Sequence, residues 1–145
     1  MGLRDVLEDD ARKGAVVADC LQLIEAEVGD KKGMGGMAIK AGYKTVNGIK
    51  PGFIEGVVHM LLPDFAAAVD PIVAEGQAKG VGAAAQLNAE KSRVADSLLA
   101  VTDRKAETAT TKIAKQAYGR LRGTAKKHVE AAVPRLAALV EKHVS

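Results

Sequence analysis

Apolar side chains return every third or fourth position along nearly the whole chain, and no stretch alternates with period two for long enough to make a strand. Val17, Cys20, Leu21, Ile24 and Val28 share one helical face, as do Val94, Leu98 and Val101, and again Val129, Val133, Leu136, Ala137, Val140 and Val144. This periodicity predicts an all-α protein. The 145 residues are 48% hydrophobic but only 3% aromatic, which suits helices packed closely through small side chains and not a β-sandwich. A chain of this length fits one domain, residues 1–145.

Punctuation divides the pattern. Asp9 or Asp10 caps a helix that ends near Gly29, and the glycine-rich DKKGMGG is a loop before a second helix from about Gly36 to Gly48. Pro51 and Pro63 each suit the first turn of a helix, whereas Pro71 falls inside one and predicts a kink. After a linker at Gly80 to Gly82, Asn88 is the expected N-cap of a helix through Val101. That helix can continue across DRKAETATTK, which has no Gly or Pro, as far as Leu121. Gly123 is expected to interrupt it, and Pro134 to break or kink the last helix.

Three segments recur in order. VADCLQLIE (17–25) aligns with VADSLLAVT (94–102), AIKAGYKTVNG (38–48) with IAKQAYGRLRG (113–123), and VHMLLPDFAAAV (58–69) with VEAAVPRLAALV (129–140). Ordered agreement at Asp19 and Asp96, Tyr43 and Tyr118, Gly48 and Gly123, and Pro63 and Pro134 predicts an internal duplication of a multi-helix unit, with pseudo-repeats 1–79 and 80–145. Halves of that size have marginal cores alone, so they are expected to fold as one unit.

Chemistry is sparse. One cysteine excludes an internal disulfide, and Cys20 on an apolar face reads as a buried structural thiol. His59, His128 and His143 show no metal-ligand spacing, and no serine lies in a nucleophile-elbow motif, so no metal site and no catalytic residue are expected. Gly33 to Ala38 formally reads G-x-G-x-x-A, but a helix precedes it where a dinucleotide site needs a strand, so no cofactor is expected. Gly48, Gly52 and Gly56 read as a turn leading into a glycine-notched helix. Asp19 and Asp96, on the shoulders of their helices, either pair with Tyr43 and Tyr118 or with Lys40 and Lys115, or remain solvated.

Charge is the feature with most functional content. Residues 1–102 hold 11 basic and 14 acidic side chains, whereas 103–145 hold 10 basic and 4 acidic, so the overall +3 divides into −3 and +6. Helical phase puts Lys112, Lys115, Arg122 and Lys126 on one face with Arg120 and Lys127 beside it. Such a strip suits an acidic protein or nucleic-acid phosphates, although only Tyr118 is at hand for stacking. The N-terminus MGLRDVLEDD lacks the apolar run of a signal peptide. The apolar stretch from Phe53 to Val73 carries Glu55, His59, Asp64 and Asp70, so a cytoplasmic protein without a membrane span is expected.

The strings VADSLLAVTDRKAE and AYGRLRGTAKKHVEAAVPRLAALVEKH, with VVADCLQLIEAEV and GYKTVNGIKPGFI, resemble an uncharacterised family of small bacterial all-helical proteins over most of the chain. The resemblance implies an intracellular helical domain and brings no activity, substrate or site residue. The function expected is that of a non-enzymatic interaction or scaffold protein. The alternatives are nucleic-acid association through the basic segment, and a ligand carrier or enzyme with a pocket between the halves. Oligomeric state is left open by the sequence.

Overall fold

The computed structural model describes residues 2–30, 33–49, 51–108 and 112–144, apart from the side chains of 33–35, 38 and 114. Among these residues the chain forms seven α-helices and no strand: α1 (Leu3–Leu7), α2 (Asp10–Asp30), α3 (Gly33–Asn47), α4 (Phe53–Ala78), α5 (Ala83–Ala89), α6 (Lys91–Thr108) and α7 (Lys112–Val144). The all-α expectation therefore holds.

The core is one cluster shared by most of the helices, with α5 and α6 lying against both α4 and α7. Leu62, Ala66, Val69, Ile72 and Val73 of α4 and Val133, Ala137 and Val140 of α7 belong to it, together with Leu3 and Val6, Val16 and Val17, Leu87 and Val94. Burial of these aliphatic side chains supplies the main drive for folding. By length and composition α4 is also apolar enough to cross a membrane. Here it is a core helix whose Asp64 pairs with Lys105 of α6 at 3.2 Å.

Several boundaries differ from those the sequence suggests. Pro63 and Pro71 sit inside α4 and Pro134 inside α7, and none of the three breaks its helix. All three lie on the exposed side. Backbone carbonyls of a surface helix tilt toward water there, so the missing hydrogen bond and the ring are least disruptive on that face. Gly123 does not interrupt α7 either, because α7 is packed on both sides of it, with Ala117 buried before it and Val133, Ala137 and Val140 after it. Residues 33–36 of the expected glycine loop form the first turn of α3.

Asn88 is not an N-cap: it lies within α5, and α6 starts after Glu90. The continuous helix expected across 103–121 is replaced by an antiparallel hairpin. Asp103 of α6 meets Arg122 of α7 while Asp96 meets Lys126, so the two helices run in opposite directions. The connection between them, residues 109–111, lies outside the described residues.

Capping sets the remaining turns. Asp9 accepts hydrogen bonds from the backbone N–H groups of Ala11 and Arg12 at 2.9 and 3.2 Å, which starts α2. Gly80, at φ 74°, ends α4 in a Schellman arrangement, with Val81 N–H donating to Gly76 O and Gly80 N–H to Gln77 O. The short α1 is held from a distance: Asp70 of α4 accepts from Leu3 and Arg4 N–H at 2.8 and 3.1 Å. That carboxylate does for α1 what a local cap does for a longer helix.

Candidate functional site

The long α7 is the element on which most polar side chains converge. Asp19 on α2 accepts a hydrogen bond from Lys142 Nζ at 2.9 Å and lies 2.7 Å from His143 Nε2. Further along α2, Glu27 and Asp30 both engage Arg135. These contacts fall in opposite order on the two helices, so α2 runs against the C-terminal half of α7. α3 meets the other half, where Gly42 approaches Leu121 so closely that a Cβ on Gly42 would stand 2.9 Å from Leu121 Cδ1. Lys142 first, and then His143, hold the Asp19 carboxyl below the usual aspartate range.

On the α6 side, Arg122 donates to Asp103 through Nε at 2.8 Å and Nη2 at 3.0 Å, a two-point guanidinium contact. The Tyr118 hydroxyl donates to the same carboxylate and stands 2.7 Å from the Thr102 hydroxyl. Arg122, and next Tyr118, lower the Asp103 pKa, whereas burial and then the carboxylate raise that of Tyr118. Asp96 pairs with Lys126 at 3.1 Å. Both repeat aspartates thus meet lysines of α7, Lys142 and Lys126, and not Lys40, Lys115 or the tyrosines.

The matched positions of the two halves have different surroundings. Tyr118 sits in the Asp103 network, but the positions aligned with Thr102 and Arg122 hold Glu25 and Asn47 in the first half, so Tyr43 has no equivalent set of partners there. Gly48 follows the end of α3, whereas Gly123 lies within α7. Pro63 and Pro134 do share a setting, each exposed inside a long helix.

The six basic residues of the strip separate into two groups. Arg122 and Lys126 turn toward α6 and its carboxylates. Lys112, Lys115, Arg120 and Lys127 are exposed on the outer side. Sequence reasoning had no access to this division, which depends on how α6 is registered against α7. Asp70, Asp103 and Arg135 were also missed, and the i, i+4 spacing of Tyr118 and Arg122 was the available sign for Asp103.

Burial, and then Asp19, push the Cys20 thiol up to about 11, so it is protonated at neutral pH. Among the described residues no group of three or more His, Cys, Asp or Glu side chains is placed to hold a metal ion. Two open depressions are present. One of about 500 Å³ is lined by Arg4, Asp5, Leu7, Glu8 and Asp70, and one of about 300 Å³ between α2 and α7 by residues including Asp19, Leu23, Arg135, Leu139 and Lys142. Asp19 in the second is engaged in ion pairs with Lys142 and His143.

These features define an all-helical protein whose ion pairs tie surrounding helices to α7 and whose outer α7 face is cationic. The chain belongs to the family of unknown function DUF6918, whose description matches residues 3–144. No curated protein and no solved structure matches it.

Proposed function

We propose that this protein works as a non-enzymatic helical interaction or scaffold protein. The observation that carries the reading is the division of the cations on α7: Arg122 and Lys126 serve the fold, while Lys112, Lys115, Arg120 and Lys127 stand exposed with no carboxylate on that helix before Glu130. Exposed like charges repel one another and add nothing to folding, so a cationic face of this kind serves a partner of opposite charge. The internal duplication belongs to the same proposal. It is supported by the ordered identities and by the recurrence of a short helix, a long helix and a proline-bearing helix in each half.

Affinity capture from native lysate, with and without nuclease, tests the function. A protein retained after nuclease treatment and eluted by salt is the expected result. Capture of nothing, or of nucleic acid alone, refutes it. A second reading, association with nucleic acid, has the same four exposed cations in its favour. Filter binding across salt concentrations decides it, since log affinity must fall steeply and linearly with log salt if phosphates are contacted.

A further inference from the structure

The outer face of α7 has a bare centre bordered by cations. Lys112, Gln116, Gly119, Gly123 and Lys127 follow one another at helical spacing, and all five are exposed. Lys115 lies along one edge of this line, where the half-buried Lys126 is already paired with Asp96, and Arg120 lies beside Lys127 on the other. Gly119 and Gly123 are interior helix residues, where glycine is poorer than alanine because the unfolded chain loses more freedom. Nothing among the described residues accounts for them, as a Cβ at either position would meet none of their atoms within 4 Å. Gly42 and Gly76 differ in this respect, since side chains of neighbouring helices fill the space beside them.

We propose that this face docks an acidic α-helical segment of another protein, packed along Gly119 and Gly123. The inference rests on the interaction reading above and names the partner's chemistry. Two glycines four residues apart leave bare backbone, which lets a second helix approach more closely than ordinary side chains permit. Lysines and arginines on both edges then stand where carboxylates flanking the incoming helix fall, as in the edge pairs of coiled coils. Charge therefore selects an acidic segment, and the notch selects a helix. A nucleic-acid groove is the poorer fit, because a helix that enters it carries side chains at the central positions to reach base edges. Tyr118 is also turned away from this line, its hydroxyl bonded to Asp103 of α6.

The test uses the full chain and a labelled alanine-based helical peptide of about 20 residues, with alanine along one line and glutamate on both sides of it. A scrambled peptide of identical composition and a duplex oligonucleotide serve as controls, with binding read by fluorescence anisotropy at low and physiological salt. The patterned peptide is expected to bind. Gly119→Leu and Gly123→Leu should each weaken it about tenfold or more, while melting no lower than the parent protein. Arg120→Glu with Lys127→Glu should weaken it similarly, and Lys91→Glu on α6 should not. The proposal is overturned by absence of peptide binding, by equal binding of the scramble or the duplex, or by indifference to the leucine substitutions. Sedimentation showing that copies of the chain occupy this face in each other's absence of peptide overturns it too. A lysate partner captured equally by the parent and by Gly119→Leu sinks this inference and leaves the interaction reading standing; capture by neither sinks both.

Discussion

Gly76 offers a direct measure of how tightly α4 and α5 are joined. A Cβ at this position would lie 2.6 Å from Gln86 Cβ and 2.8 Å from Gln86 Cγ, about 1 Å inside normal carbon contact. Gln86 is itself buried, so relief requires the two helices to separate. Overpacking of this kind costs about 1–3 kcal/mol, and the better helix propensity of alanine returns up to about 1 kcal/mol. Gly76→Ala is therefore expected to destabilise by about 1–2 kcal/mol, a fall of roughly 4–8 °C in melting temperature for a domain of this size. Gly123→Ala supplies the internal control. With no atom within 4 Å of its added methyl group, it gains only the propensity term and should raise the melting temperature by about 3 °C. Thermal melts followed by circular dichroism measure both. A double-mutant cycle isolates the contact: Gln86→Gly should couple to Gly76→Ala by about 1–2 kcal/mol, whereas Gln86→Ala should not relieve it, because the nearest atom is the Cβ itself. Equal melting temperatures for the two glycine variants, or zero coupling in the cycle, would refute the close approach of α4 and α5.

Gln86 carries a second expectation, since its Nε2 is buried without a hydrogen-bond partner among the described residues. Gln86→Met keeps the length and removes that donor, so urea denaturation should show a gain of about 1 kcal/mol; a loss of stability would mean that the amide is satisfied after all. Asp19, with its pKa depressed in the folded state, contributes stability that is fully present above the unfolded aspartate value of about 4 and is lost as pH falls through the folded one. The denaturation midpoint of Asp19→Asn should accordingly drop less between neutral pH and pH 3 than that of the parent, and parallel acid limbs would argue against the ion pairs with Lys142 and His143. Cys20, half-buried against the core where a fully buried thiol was expected and pushed up to about 11, should react more slowly with a disulfide reagent at pH 8 in the native protein than once unfolded; equal labelling of the two states contradicts that packing.

The sequence shows helices far better than it shows their ends. α2 was legible from start to finish because Asp9 caps it locally and its apolar stripe keeps phase. The prolines misled because they are strong breakers taken alone. Their position relative to the apolar stripe is the missing datum, and Pro63, Pro71 and Pro134 all fall on the solvent side. α1 and α5 were invisible for another reason: helices of 5 and 7 residues have no stable local preference and exist through contacts such as Asp70 with the N-terminus of α1.

The candidate site was legible as composition and illegible as geometry. Counting charges locates the basic excess beyond residue 102, and helical phase gathers Lys112, Lys115, Arg122 and Lys126 on one side. What neither operation supplies is register. Asp96 and Asp103 are seven residues apart, two turns of α6, and so point the same way. Because α6 runs antiparallel to α7, those carboxylates fall against Lys126 and Arg122 and neutralise the inner edge of the strip. Had α6 been displaced by one turn, the same cations would have pointed to water and the face would have been broader and more like a polyanion track. The observed register instead narrows it to two edges of cations beside a glycine line, a shape that admits one helix. Specificity here comes from which charges the fold has already claimed.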